Sequence, residues 1–383
     1  MSKKNPDLSQ NDVAVKPPKK KGKLIWCIIR RFFLLLFTLI FLLVGGLAVI
    51  LDLVFNGPST AARDVLTMTL LEPSGTKWIP GLFMSEETIN EIRARANFQL
   101  PADVSDASQV VINKDGISAN SNEWANYPDG IYIESYAGDT YNAHIMVIRD
   151  PSSIFLSCAN GGNFSRNKPG ARITDQLQAE GALAAINAGA FYDDASSSPE
   201  VGSTPEGLVL SGGAVKWDRG APPKGAGGFV GFNQDDILVV AESMTAAKAQ
   251  ELGIRDGCEF GPVLIMNGQI NEGVYNSNSG YNPRTCIGQR ADGAVIFLCI
   301  DGRQAGSVGA TYRDCIDILW EYGCVNACNL DGGSSSIMLY RDTYGLYGEA
   351  GQVQMINNYS LLQENPRRMP TFWMVRPSNE EGQ

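Results

Sequence analysis

Four short clusters in this 383-residue chain combine residue types that could do chemistry: Asn187-Ala188-Gly189-Ala190-Phe191, Asn282-Pro283-Arg284-Thr285, Asp301-Gly302-Arg303, and Asn329-Leu330-Asp331-Gly332-Gly333 with Ser334, Ser335 and Ser336. Taken singly, each Asn-Gly or Asp-Gly step reads more readily as turn chemistry than as catalysis. Taken together they suit an anionic ligand. Arg284 and Arg303 each carry a planar fork matched to phosphate oxygens, and Gly332 and Gly333 let backbone amides approach an anion. Asp301 and Asp331 supply the two carboxylates that glycosyl transfer to water needs. A nucleotide P-loop is excluded, because no Gly-x-x-x-x-Gly-Lys-Ser/Thr run is present and no Gly-x-Gly-x-x-Gly follows a strand.

Composition narrows the chemistry further. His144 is the only histidine, so two-His zinc sites and His-Glu-x-x-His proteases are ruled out, and a Ser-His-Asp triad could be built only on that residue. It opens an apolar run, where a packed or hydrogen-bonded structural role is favoured over a catalytic one. A net charge of −10 argues against nucleic acid as partner. Residues 1–31 hold nine of the 31 basic and two of the 41 acidic residues, leaving 22 against 39 beyond that point. No metal is assigned; a Ca²⁺ or Mg²⁺ ion on Asp301 or Asp331 is the alternative, although no EF-hand-like spacing occurs.

The elements that must position these clusters are short. Apolar or alternating runs predict strands at Gly130–Tyr136, His144–Ile148, Leu183–Asn187, Ile237–Ala241, Ile337–Tyr340 and Thr371–Val375. Hairpins are predicted from Leu208–Leu210 to Ala214–Trp217 and from Val263–Met266 through Asn267-Gly268. Ala294–Ile300 is apolar on both faces and reads as a central strand. Thr311 is expected to cap a helix over Tyr312–Tyr322, with Cys315, Ile316, Leu319 and Trp320 buried and Gly323 as its stop. Further short helices are expected after Thr174 as cap, after Ser85, and from Thr245 to Leu252. The fold class is therefore α+β: a mixed β-sheet core flanked by short helices, with the clusters at strand ends.

No charge interrupts Phe32–Leu51, a run long enough to cross a hydrocarbon core about 30 Å thick. The expected order is a cytoplasmic basic tail (1–31, with 2–22 disordered), a transmembrane helix (32–54), an irregular extracellular stalk and lead-in (55–127), a compact domain (128–377) and a short tail (378–383). The basic tail places the N-terminus in the cytoplasm and the domain outside a cell membrane spanned once. A removed signal peptide is the alternative reading. Seven cysteines lie beyond the helix, an odd number, so one or two disulfides at most are expected; Cys299, inside an apolar strand, reads as a small buried hydrophobe.

The run from Asn282 to Gln304 (NPRTCIGQRADGAVIFLCIDGRQ), Gly309-Ala310-Thr311, and Asn326 to Ser336 (NACNLDGGSSS) resembles the phosphodiester glycosidase family. Ile145–Pro151 (IMVIRDP), Ala185–Phe191 (AINAGAF), Thr204–Gly207 (TPEG), Arg255-Asp256-Gly257 and Phe260–Leu264 (FGPVL) extend the resemblance over residues 128–377. The loop here reads Gly-Gly-Ser where some relatives have a third Gly, and Cys286, Cys324 and Cys328 stand where small residues are common. The resemblance implies hydrolysis of the bond between a sugar's anomeric carbon and a phosphate, on a substrate like an N-acetylglucosamine-1-phosphodiester in envelope or exopolysaccharide glycans. It implies Asp301 and Asp331 as base or nucleophile, Arg284 and Arg303 on the phosphate, and Asn187 and Asn329 on hydroxyls or orienting the carboxylates. Glu206 is a reserve carboxylate, and Gly332, Gly333, Ser334 and Ser335 add donors, although an Asp-Gly-Gly-Ser-Ser turn capping its own backbone is equally consistent. A non-catalytic protein that binds a glycopolymer and assists its assembly or retention is the alternative; the paired Asp and Arg residues, which binding alone does not require, speak for the enzyme.

Overall fold

Val295–Ile300 is apolar on both faces because both faces are buried: Val295, Phe297 and Cys299 point into one core, and Ile296, Leu298 and Ile300 into another. The neighbouring strand Asn142–Ile148 divides in the same way, with Met146 and Ile148 on one side and Ala143, Ile145 and Val147 on the other. That alternation is the side-chain period of a strand, and it defines the layers of the fold. The computed structural model describes residues 21–71, 75–94, 100, 102–112, 124–192, 201–220, 227–304, 306–359 and 365–377.

The chain divides into two units, Met1–Pro58 and Ser59–Gln383. In the first, one helix runs over Lys21–Phe55, and Trp26–Phe55 is long and apolar enough to cross a membrane. The helix therefore begins inside the basic segment expected to precede it; apart from Lys21 and Gly22, the segment expected to be disordered lies outside the described residues.

In the second unit the α+β class holds, with the β-content divided among several sheets whose strands all pair antiparallel among the described residues. The first sheet runs in the order Ile131–Ala137, Asn142–Ile148, Val295–Ile300, Arg284–Arg290, Cys324–Leu330, Val263–Met266, Gln269–Ile270. A second contains Leu238–Ala241, Phe229–Asn233, Ile254–Glu259, Val209–Ser211 and Ala214–Trp217, and a third contains Val353–Met355, Met338–Arg341, Ala184–Asn187, Thr371–Val375 and Ile154–Cys158. Their inner faces meet in one apolar core, where Phe232 of the second sheet packs edge-on against Trp373 of the third at 5.6 Å. Outer faces are covered by helices: Tyr312–Glu321 on the first sheet, Ile173–Glu180 on the third, Ala246–Glu251 on the second.

The helix Tyr312–Glu321 starts with a full capping box, the Thr311 hydroxyl accepting from Asp314 N–H and the Asp314 carboxylate accepting from Thr311 N–H. Trp320 departs from expectation: it is 47% exposed, and Ile318 takes a buried position beside Cys315, Ile316 and Leu319. Thr174 lies inside the helix Ile173–Glu180, whose cap position is Arg172. The stretch read as a stalk contains the helix Thr60–Leu71, capped by Ser59 Oγ accepting from Ala62 N–H at 3.2 Å. Thr69 Oγ1 in that helix accepts from Tyr281 N–H at 3.1 Å, one residue before the Asn282 cluster, so this segment packs on the domain. All eight cysteines are free, and the seven beyond the first helix are buried; the expected disulfide is absent because these thiols act as core packing.

Candidate active site

The antiparallel register gathers three of the four clusters at one end of the first sheet. Arg284 pairs with Ile300, Thr285 with Leu330, and Ala143 with Ile300, so the start of the Arg284–Arg290 strand lies beside the ends of its two neighbours. Asn282–Pro283, Asp301–Arg303 and Asp331–Ser336 leave the sheet together. Backbone bonds knit them: Gly333 N–H donates to Pro283 O at 2.9 Å, and Asn282 and Ala310 exchange bonds at 3.2 and 3.0 Å. Asn187, at the end of a third-sheet strand, closes the seam. Its Nδ2 donates to Asp331 O at 2.5 Å, and its Oδ1 accepts from Thr285 Oγ1 at 2.8 Å and Ile337 N–H at 3.2 Å. A small cavity of about 60 Å³ opens here, lined by Asp301, Arg303, Gly333, Ser334, Ser336 and Tyr359 among others.

The two carboxylates differ. Asp301 is fully buried, with Oδ1 accepting from Asn358 N–H at 2.9 Å and Oδ2 from Asn358 Nδ2 at 2.7 Å. His144 Nε2 lies 3.1 Å from the same Oδ2, and its Nδ1 is 2.8 Å from Ser135 Oγ. The sole histidine thus stands at the site, on a strand whose register with Val295–Ile300 brings it there. Asp331 is half-buried, its backbone held by Ala188 O on one side and Asn187 on the other. Asp301 is fixed, buried and on the cavity wall; Asp331 is the more exposed of the two.

The arginines also part company. Arg284 is 2% exposed, donates from Nε to Ala310 O and from Nη2 to Gly280 O at 3.2 and 2.8 Å, and stacks on Tyr312. Expected on a phosphate, its guanidinium here braces the loops beneath the site. Arg303 is exposed, with φ +57°, and donates to Asn282 Oδ1 at 3.0 Å. Its guanidinium lies against Gly333, where φ is +63° and a Cβ would stand 3.3 Å from Nη1. Gly332 is equally constrained, since a Cβ there would meet Pro283 O at 2.8 Å.

Asn187 and Asn329 are buried with their amides engaged by protein, so neither presents a free face to a hydroxyl; Asn329 Nδ2 donates to Gly261 O at 2.9 Å. Glu206 is partly exposed, 3.8 Å from Arg219, with its N–H on Ala190 O. Ser334 Oγ accepts from Arg367 Nη1 at 3.1 Å, while the buried hydroxyls of Ser335 and Ser336 and the amide nitrogen of Asn282 make no hydrogen bond within the protein. Besides His144, sequence reasoning missed Arg367 and Glu259. The signal for Arg367 was a basic pair just before Thr371–Val375, a strand whose Phe372 pairs with Asn187. Glu259 carries a buried carboxyl, and its backbone carbonyl accepts from Ala190 N–H; burial pushes its side-chain pKa up to about 7 against the opposing pull of the Leu208 and Met244 amides. Among the described residues no group of three or more His, Cys, Asp or Glu converges as a metal site.

Several known proteins are similar to this chain. The solved catalytic domain of zebrafish N-acetylglucosamine-1-phosphodiester alpha-N-acetylglucosaminidase, auto-inhibited by its pro-peptide, superposes with a TM-score of 0.50 at 20% identity, covering 66% of this chain and 85% of that one, and shares its fold. A hypothetical protein from Synechocystis is similar with a TM-score of 0.42 at 17% identity, covering 66% of this chain and 63% of that one. The SPbeta prophage-derived uncharacterized protein YomE of Bacillus subtilis is 36% identical over 87 residues, which span 22% of this chain and 14% of YomE. The phosphodiester glycosidase family profile matches residues 180–376, a span that holds Asn187, Arg284, Asp301, Arg303, Asp331 and Arg367. The chain belongs to the phosphodiester glycosidase family.

Proposed function

We propose that this protein is a membrane-anchored hydrolase that cleaves a sugar-1-phosphodiester at the anomeric carbon–oxygen bond, on envelope or exopolysaccharide glycans outside the cell. The observation that carries the reading is the Asp331-Gly332-Gly333 turn, which sets a half-buried carboxylate within two residues of a glycine lying against the Arg303 guanidinium. Water attacks the anomeric carbon and gives its proton to Asp331, or Asp331 attacks and the glycosyl ester it forms is then hydrolysed by water; in both routes the departing oxygen leaves with its electron pair as part of a phosphomonoester. Such a leaving group needs little protonation, so a strong general acid is dispensable. Arg303 stabilises the charge gained by the leaving phosphate. Asp301 orients the Asn357–Tyr359 strip through Asn358. The zebrafish enzyme's name supports N-acetylglucosamine as a sugar to test first.

The long apolar helix supports anchoring, and the lysines and arginines before it support a cytoplasmic N-terminus. Full-length protein in detergent, incubated with N-acetylglucosamine-1-(methyl phosphate) and related sugar-1-phosphodiesters, should release free sugar, and Asp331→Asn should not. EDTA should leave the rate unchanged. A folded wild-type protein that releases no sugar from any of them overturns the hydrolase reading in favour of glycopolymer binding.

A further inference from the structure

Arg303 is not the only guanidinium at the Gly333-Ser334 turn. Arg367 donates from Nη1 to Ser334 Oγ at 3.1 Å and stacks over Phe191 at 4.7 Å. Its main chain is tied to the same turn: Arg367 N–H donates to Tyr359 Oη at 3.2 Å, and that hydroxyl donates to Ser334 O at 2.7 Å. Residues on either side are fixed as well, because Pro366 O accepts from Arg172 at 2.6 Å and Arg368 donates to Gly170 O at 3.1 Å. Arg367 is therefore held in place before any ligand arrives, which lowers the ordering cost of binding. Consecutive residues Gly333 and Ser334 thus each have a guanidinium against them, Arg303 on one and Arg367 on the other.

The cavity beside this turn is lined by the buried Ser336, whose Oγ finds no protein partner, and Asn282 Nδ2, buried beside Arg303, is likewise unpartnered. A buried polar atom without a partner is costly, and Ser336 Oγ, of a residue on the cavity wall, is one that a bound ligand would satisfy.

We propose that Arg303 and Arg367 together form the anion subsite that grips the phosphate of the substrate, with Ser334 and Ser336 as further donors, and that Arg367 takes the part that Arg284, buried under the loops, does not. This deepens the hydrolase reading and rests on it for the identity of the anion. Two planar forks on one tetrahedral group bind it in a fixed orientation, as lysines would not.

Calorimetric titration of full-length protein in detergent with methyl phosphate, a product-like monoester, tests the subsite without turnover. Arg367→Ala should weaken binding about tenfold or more, Arg367→Lys should fall between, and Lys248→Ala, an exposed cation paired with Glu251, should stay within about twofold of wild type. With N-acetylglucosamine-1-(methyl phosphate), kcat/KM should fall about 100-fold in Arg367→Ala. Arg367→Gln serves if the Ala variant does not fold. Wild-type affinity for methyl phosphate retained in folded Arg367→Ala or Arg367→Gln protein, or no binding by wild type, overturns the proposal. Arg367-dependent binding without any sugar release upholds the subsite and removes the hydrolase reading alone.

Discussion

His144 Nε2 stands 3.1 Å from Asp301 Oδ2, so the only imidazole of the chain faces one of the two aspartates expected to do chemistry. Ser135 Oγ on Nδ1 and Asn358 on both carboxylate oxygens complete a chain of contacts from an exposed strand edge to a buried carboxylate. Because there is one histidine, its ring gives one set of NMR signals. Those ¹⁵N and ¹³C resonances should move in Asp301→Asn and stay put in Asp331→Asn. Identical histidine spectra in wild type and Asp301→Asn would refute the contact.

The two aspartates should separate by the kind of damage their loss does. Asp301→Asn places an amide nitrogen against the Asn358 donors and should destabilise the fold by about 1–3 kcal/mol. Asp331→Asn, at a half-buried position, should cost less than about 1 kcal/mol and abolish sugar release. Urea unfolding alongside turnover measures both; equal destabilisation by the two variants would count against the distinction.

Glu259 makes stability depend on pH with a defined sign. Its folded pKa is raised by burial to about 7 from 4.5, so the folded state holds a proton that the unfolded chain has released. The contribution is complete below about pH 4.5 and is lost as pH rises through about 7. Between pH 4.5 and 8 wild type should lose on the order of 2–3 kcal/mol more than Glu259→Gln does. Parallel stability curves for the two proteins over that range would rule this out.

Thiol chemistry should report the packing of the second unit. Burial pushes Cys158 up to about 12 and holds Cys258, Cys286 and Cys299 well above the ordinary thiol range. Native protein in detergent should therefore leave all seven thiols beyond the first helix unmodified by a maleimide at neutral pH, and should release all seven on denaturation. Fewer reactive thiols in denatured, unreduced protein would reveal a disulfide.

What could be read from the residues alone follows from which forces are local. Val295–Ile300 and the capped helix after Thr311 were legible because an apolar run and a capping box are written within a few positions. Asp301, Arg303, Asp331 and Gly333 were legible as turns at strand ends. Arg284 was not, because its burial depends on Gly280 and Ala310 carbonyls and on Tyr312 closing over it. His144 and Arg367 reach the site through strand register and through Tyr359, contacts that no spacing in the chain reveals. The helix Thr60–Leu71 is not legible in the sequence because its apolar residues follow no sustained period, and only Ser59 marks its start.

The single amide of Asn187 has a consequence for how this protein comes apart. It bonds to Asp331, Thr285 and Ile337 at once, so the turn carrying Asp331 cannot fray while the first and third sheets remain joined. A surface turn ordinarily belongs to the low-stability end of a fold and opens by itself many times before the molecule unfolds. Here the Asp331 segment shares the free energy of the seam between two sheets. Its amide protons should exchange on the timescale of global unfolding, and heat should take the site and the core in one cooperative step.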